Sequence, residues 1–460
     1  MSSQEHVTVG IVGGGIAGLT LANILEQSGI SYILWEARDE IAPPEGASLG
    51  LMPNGLRILD QLGLIDELEE YAVPHDCWEY RDGEGTLFNT LTAMRSYPEL
   101  LGYQGYFMER QRVLEILYAG IKDKTRIQTS KRVSSVLSLS LGATVTAIDG
   151  TQISCDFVAG ADGVRSVVRR EIEAALPELQ MTPDNFSSKC ACIYGMSSPL
   201  RQIGAGRFFT IHQKDVSALI FSGLGGALYW FIVVDLKTSV EFGKTKRYTD
   251  ADIEAAYTKV AHATITDGVK FSDIFENKRT AIMTPLEEGV ADAWNSGRMF
   301  VLGDSAHKMV PHVAMGANQA IESAACFANL LFELRKQLGG TLANGVPPSA
   351  VEAHLKKYAE KCSERTSGVI QSASFNCQVQ LKIGPAVEPY MRALPYMTNE
   401  AWLSMVLETF CKAEKIEDWN RNSARVDYYT EHMRTLREKI EKGEGIFATT
   451  GNCPIQAKHD

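Results

Sequence analysis

Hydrophobic and polar positions fall into three textures along the chain. The first spans 7–36 and reads as strand, turn, helix, strand. Val7, Val9, Ile11 and Val12 form a charge-free β-branched run, the pattern of a buried parallel strand. A glycine turn follows, then LTLANILEQS, which is predicted helical and ended by Gly29. Residues 31–35 give a second strand with Glu36 at its end. Leu56, Leu59, Leu62 and Leu64 predict one helix over 54–68. Residues 74–107 predict strands, with Asp82-Gly83 and Glu84-Gly85 marking a hairpin, and 108–120 an amphipathic helix. Residues 126–160 alternate as a meander, turn at Asp149-Gly150, and lead into a helix from Val164 that carries Ser166, Arg169 and Arg170.

The second texture covers 186–275. Four β-like runs (CACIYGMS, GRFFTIHQ, VSALIFSGL and GALYWFIVVDL) are separated by glycine or polar turns, which predicts an antiparallel sheet inserted as a second domain. Residues 252–262 predict a helix within it. In the third texture, a strand at 299–302 ends in Gly303-Asp304, Pro311 breaks the next turn, and Met315-Gly316-Ala317-Asn318 opens a long helix of small and apolar residues. The last 110 residues read as helical and charged, most clearly at 353–360 and 428–442. The amphipathic stretch 385–411 is expected to pack on the body, with peripheral membrane association as the alternative. The expected division is 1–185 and 276–340 for a Rossmann-like α/β domain, 186–275 with strands from 74–107 for the inserted sheet domain, and 341–460 for a helical region.

The net charge of −11 and the absence of a basic run argue against nucleic-acid binding. The nine cysteines are scattered and odd in number, and Cys190-x-Cys192 is neither a redox C-x-x-C nor a zinc knuckle, so they are expected as buried apolar residues and no metal is expected. No apolar run reaches the ~20 residues of a membrane span, and the first strand begins by Val7, where a signal peptide would lie. A cytoplasmic protein is the expectation.

The glycine turn carries the first chemistry. Gly13-Gly14-Gly15-Ile16-Ala17-Gly18 is a G-x-G-x-x-G between strand and helix. Gly13 permits the tight turn, Gly15 lets a pyrophosphate approach the backbone, and Gly18 lets helix and strand pack closely. Glu36 lies 18 residues after Gly18, placed to accept hydrogen bonds from an adenosine ribose, and its charge favours FAD or NAD over NADP at this site. Gly46, Ser48 and Gly50 leave backbone exposed as a wall for a flat ring. Arg110 opposes a helix macrodipole and by itself is expected to be solvated.

GGGIAG with Glu36, GADGVRSVVR at 160–169 and VLGDSAH at 301–307 stand in order. This trio resembles the single-component (group A) FAD-dependent monooxygenases of the para-hydroxybenzoate hydroxylase type, over residues 1 to about 335. ILWEA, GASLGLMPNG, MERQRVLEILY and GDSAHKMVPH look most like fungal epoxidases of meroterpenoid and indole-diterpene pathways. The resemblance implies an FAD-binding domain with an inserted antiparallel-sheet substrate domain. It implies Glu36 at the ribose, Gly50 beside the flavin, and Arg110 at the pyrophosphate and ribityl rather than in solvent. It implies Asp162 at FAD or the pyridine nucleotide, Asp304 at a ribityl hydroxyl, and Gly316, Ala317 and Asn318 near the pyrimidine edge. Arg38 and Val133 are also placed at the cofactor. Ala314 stands where the family has glycine, so a more crowded loop is expected.

The implied activity is an FAD-dependent monooxygenase using NAD(P)H and O2, with a flavin C4a-hydroperoxide as the oxygen donor. With a single G-x-G-x-x-G in the chain, the nicotinamide is expected to visit transiently, as NADPH or NADH. Phe208, Phe221, Tyr229 and Phe231 suit an apolar substrate, and Tyr194, Arg207 and Tyr229 are the candidate catalytic residues for a hydrogen bond or proton transfer. Epoxidation of an alkene in a prenylated or terpenoid intermediate ranks first, aromatic hydroxylation second and Baeyer–Villiger oxidation third. A non-catalytic FAD-fold binding protein is the alternative from another class, and the intact Glu36 and Gly303-Asp304 speak against it.

Overall fold

The computed structural model describes all residues except 1–5, 45–47, 180–184, 343–344 and 443–460; Gly46 lies outside the described residues. Two eight-stranded sheets organise the chain. In the first, Asn295–Ser296, Met299–Val301, Gln152–Gly160, His6–Val12, Tyr32–Trp35 and Ile127–Gln128 lie side by side, with Val133–Leu139 and Gly142–Ala147 attached to Gln152–Gly160. His6–Val12 is parallel to both neighbours, with Val9 opposite Tyr32 on one side and Phe157 on the other. It is buried at all but its first residue, which explains its unbroken apolar reading. The last strand of the predicted meander thus becomes a central strand of the parallel sheet.

The helix that follows the central strand, Ile16–Gln27, packs against the long helix that opens at Gly316, Gly316–Gln337. Gly303, at φ +61°, sits between them; a Cβ there would lie 3.0 Å from the Ala17 Cβ. Gly18 serves the same close packing: a Cβ on it would lie 2.0 Å from the Gly13 carbonyl oxygen.

The second sheet runs His307–Lys308, Lys278–Val290, Phe186–Ser197, Leu228–Glu241, Val216–Ser222, Arg207–His212, Cys77–Asp82, Leu87–Leu91. Its two faces bury different sets. Phe208, Phe221, Tyr229 and Phe231 join the main core. Phe209, Ile220, Trp230 and Ile232 pack in a second cluster with residues of helices Asp250–Val260 and Phe271–Glu276. The sheet extends past the expected boundary at 275, because Lys278–Val290 pairs along the whole of Phe186–Ser197. Tyr106–Glu109, expected with the hairpin strands, pairs instead with Ser48–Leu51.

The helix expected over 54–68 is two, Pro53–Gln61 and Ile65–Glu70, interrupted at Gly63 with φ +75°. The C-terminal region holds Pro348–Gln380, Val387–Ala393, Asn399–Cys411 and Ala424–Glu441. Leu403, Leu407, Phe410 and Cys411 turn the apolar face of Asn399–Cys411 inward. Among the described residues no helix is long and apolar enough to cross a membrane, and no three His, Cys, Asp or Glu side chains gather as a metal set.

Candidate functional site

A cavity of about 720 Å³ opens where the strand ends of the first sheet meet the inner face of the second. That volume falls within the ~300–1,000 Å³ of small-molecule and cofactor pockets. Two helix N-termini face it: Gly14, Gly15, Ile16 and Ala17 from one, Gly316, Ala317 and Ala320 from the other. The first-turn N–H groups of each helix have no intrahelical acceptor, so both ends present donors and a partial positive charge. Cβ atoms built on Gly15 and Gly316 meet nothing within 4 Å, which leaves the backbone open to a ligand. Gly13 lies behind the lining at φ +109°, where a Cβ would lie 2.4 Å from the Ala161 carbonyl oxygen.

Glu36 lines the cavity and is held by backbone donors: Gly14 N–H donates to Oε2 at 2.6 Å and Arg38 N–H to Oε1 at 2.9 Å. A carboxylate has about four lone-pair sites, so acceptor capacity remains for ribose hydroxyls. Arg38, Arg110, Arg132 and Arg165 line the same cavity, giving an otherwise acidic protein a local run of cations. Two helix ends, four arginines and an acid beside the first helix end fit a diphosphate-linked dinucleotide such as FAD.

Asp162 and Asp304 also line the cavity. Asp162 is committed largely to the protein. Its Oδ1 accepts from Ser166 Oγ at 2.5 Å and Ser305 Oγ at 3.3 Å, and its Oδ2 accepts from Val167 N–H at 2.6 Å. Burial raises its pKa, and the Ser166 hydroxyl and Val167 N–H oppose that rise. The Asp304 carboxylate forms an ion pair with Lys308, four residues on.

Gly50 lines the cavity beside Ala314. Ala314 has φ +52° and ψ +30°, the left-handed region, so the position where the family carries glycine keeps a glycine conformation without the glycine. A Cβ on Gly50 would lie 2.7 Å from the Ala314 Cβ and 3.0 Å from the Phe107 ring. Gly50 thus makes room for the Ala314 methyl.

Beyond these loops the wall is aromatic. Phe107, Tyr194 and Phe231 line it, with Phe221 stacked on Phe107 at 3.8 Å between ring centroids and Phe208 edge-on to both. Burial raises the Tyr194 phenol well above its usual range, a rise that Thr284 opposes by hydrogen bonding.

Four expected site residues need correction. Arg207 does not face the cavity: strand alternation puts it on the outer face with Phe209, where it pairs with the buried Glu79 that also binds Arg81. Tyr229 is on the inner face but behind the lining, because Phe231, two residues on, takes the cavity position. Val133 points into the core, and its neighbour Arg132 is the residue that lines the cavity. The Asn318 side chain is a staple: its Nδ2 donates to Gly50 O at 3.0 Å and Ala314 O at 2.8 Å, and its Oδ1 accepts from Met52 N–H at 3.0 Å. Only its backbone N–H belongs to the open helix end.

Phe107, Leu49, Arg132, Arg165 and Lys308 line the cavity and were not singled out from the sequence. For Phe107 the signal was an aromatic just before a helix that starts with Arg110. For Lys308 it was a cation four residues after the Gly-Asp turn.

The model of the FAD binding domain family matches residues 6–373. The chain is 36% identical over 405 residues to the FAD-dependent monooxygenase andE of Emericella variicolor, covering 85% of this chain and 84% of that protein. It is 34% identical over 384 residues to the FAD-dependent monooxygenase paxM of Penicillium paxilli, covering 81% and 79%. Among solved structures, Klebsiella pneumoniae HpxO complexed with FAD and uric acid superposes with a TM-score of 0.71 at 20% identity, covering 88% of this chain and 97% of that one. CtdE in complex with FAD and a substrate gives 0.67 at 20% identity, covering 95% and 100%. The chain therefore belongs to the FAD binding domain family and is an FAD-dependent monooxygenase, an oxidoreductase that carries FAD.

Proposed function

We propose that this monooxygenase uses NAD(P)H and O2 to epoxidise an alkene of a prenylated or terpenoid secondary-metabolite intermediate. FAD, when bound, supplies the electron transfer and the activation of O2; the protein orients and shields. The observation that carries the reading is the composition of the aromatic wall. Phe107, Tyr194 and Phe231 offer apolar surface, and the acids that line the cavity, Glu36, Asp162 and Asp304, all come from the strand ends of the first sheet. No histidine lines it among the described residues. Burial keeps the Tyr194 phenol protonated at neutral pH, so it can donate a hydrogen bond but is a poor base. Phenol hydroxylation gains from a base that draws off the substrate proton; an alkene needs only an electrophilic oxygen and a dry, apolar seat.

In this reading the Gly15 and Gly316 helix ends, Arg38 and Arg110 hold the diphosphate and flavin, Glu36 holds the ribose, and Asp304 a ribityl hydroxyl. The loop at Gly50 and Ala314 forms the wall beside the ring. The first sheet and the helices that follow its strands serve the cofactor, and the second sheet, including Cys77–Asp82, Leu87–Leu91 and Lys278–Val290, serves the substrate. Tyr194 orients the substrate from that sheet.

The test is to incubate the FAD-loaded protein with NADPH and a prenylated phenol and to locate the inserted oxygen by mass spectrometry and NMR. Oxygen on the olefin is expected. Oxygen on the aromatic ring overturns epoxidation in favour of hydroxylation, and no oxygen transfer despite bound FAD and NADPH oxidation overturns the prenylated substrate class.

A further inference from the structure

Lys308 sits where the two sheets meet. Its strand, His307–Lys308, pairs antiparallel with the end of Lys278–Val290, Gly289 opposite Lys308. The second sheet therefore fixes its backbone, while its side chain lines the cavity beside Asp304. The ammonium pairs with Asp304 Oδ2. Oδ1 takes no hydrogen bond among the described residues. Burial pulls the Lys308 pKa down, but Asp304 and Glu287 outweigh burial and hold it above the usual lysine range, with Arg110 opposing them. Glu287, almost fully buried on Lys278–Val290, and Asp304 are also the acids that act on the Tyr194 phenol. One corner thus gathers Asp304, Lys308, Glu287, Tyr194 and Arg110.

We propose that Lys308 is a positioning residue of the FAD site: it clamps one oxygen of Asp304 so that the other stays aimed at the cofactor, and it presents a fixed positive charge to the flavin. An ion pair at the surface holds little. This one borders a cavity that the cofactor fills and dries, where charge interactions strengthen. Without the ammonium, no cation on its own loop fixes the Asp304 rotamer. Anchorage in the second sheet means that movement of that sheet against the cofactor loops is felt at Asp304. With FAD bound, a cation in this cavity would also favour the added negative charge of reduced flavin, so its loss would make reduction harder.

The inference rests on Asp304 acting as a cofactor ligand, and Asp304→Asn alone tests that reading. The experiment titrates apo-protein with FAD for Lys308→Met, Lys308→Arg, Asp304→Asn and the Asp304→Asn/Lys308→Met pair, and measures the flavin midpoint potential of each. Lys308→Met is expected to weaken FAD binding about tenfold and to make the potential more negative, with Lys308→Arg restoring both. In the Asp304→Asn background, Lys308→Met is expected to weaken binding little further. Unchanged affinity and potential in Lys308→Met, or fully additive losses in the double variant, overturn the proposal. Lys308→Gln, with thermal melting as the fold control, replaces Lys308→Met if that variant does not fold. Unchanged affinity in Asp304→Asn refutes the reading of Asp304 itself.

Discussion

At the scale of single residues the site turns on where a methyl group fits. Ala314 holds a left-handed conformation that costs a non-glycine residue about 1 kcal/mol. Ala314→Gly is therefore expected to raise stability by about 1 kcal/mol, read from urea unfolding of the apo-protein. Gly50→Ala is expected to destabilise and to lower FAD occupancy, since its new methyl would lie 2.7 Å from the Ala314 Cβ. Adding Ala314→Gly should recover part of that loss; the Phe107 contact at 3.0 Å accounts for the remainder. If Gly50→Ala is neutral, the two positions do not share the space described. The pattern P-x-x-A-x-G-x-N made Ala314 legible as an oddity. That Gly50, far away in sequence, gives way to it was not legible, because nothing local connects the two.

At the scale of elements, Gly316–Gln337 links the cavity to the C-terminal helices. Its N-terminus faces the cavity, and its Glu322 forms a two-point ion pair with Arg365 of Pro348–Gln380, at 2.9 and 3.0 Å. Asn54 of Pro53–Gln61 donates to the same carboxylate at 2.5 Å. Glu322 is almost fully buried, so Glu322→Ala would strand the Arg365 guanidinium. A loss of about 3–5 kcal/mol is expected in denaturant unfolding. Glu322→Leu/Arg365→Met should lose much less, because no charge is left unpaired. Equal losses in the two variants would show that packing, not charge, holds the helices together. The periodicity of Gly316–Gln337 gave its existence and its start. It did not mark Glu322 as buried, since an acid in a helical run reads as a solvated face.

At the scale of the whole molecule, four buried imidazoles stand out. Burial lowers the pKa of His75 and His312 to about 3 and of His212 and His307 to about 4. Both ring nitrogens of His312 lack a partner among the described residues. Each of the four is neutral when folded and titrates near 6.5 when unfolded. The unfolded chain therefore binds more protons as the pH falls below about 6.5. These groups stabilise the fold above that pH and lose their contribution as the pH falls toward about 4, by roughly 1.4 kcal/mol per pH unit for each imidazole. Unfolding followed between pH 7 and 5 should show declining stability. The decline should be shallower in His212→Phe, where the new ring joins Tyr80, Phe88 and Tyr390. A parallel decline in that variant would exclude His212 as a contributor.

Local patterns in the chain were sufficient for the glycine turn, Glu36, the strand ending at Gly303-Asp304 and the helix opening at Gly316, because each is set by backbone needs within a few residues. The same holds for the aromatic character of the inserted strands. Tertiary structure alone decided which alternating face meets the cavity, turning Arg207 away to Glu79 and placing Phe231 ahead of Tyr229. It also made Asn318 a staple between distant loops. Those outcomes depend on contacts between segments more than a hundred residues apart. The direction of a side chain across a sheet is fixed by register and by what packs against it, and a one-residue change in register reverses it.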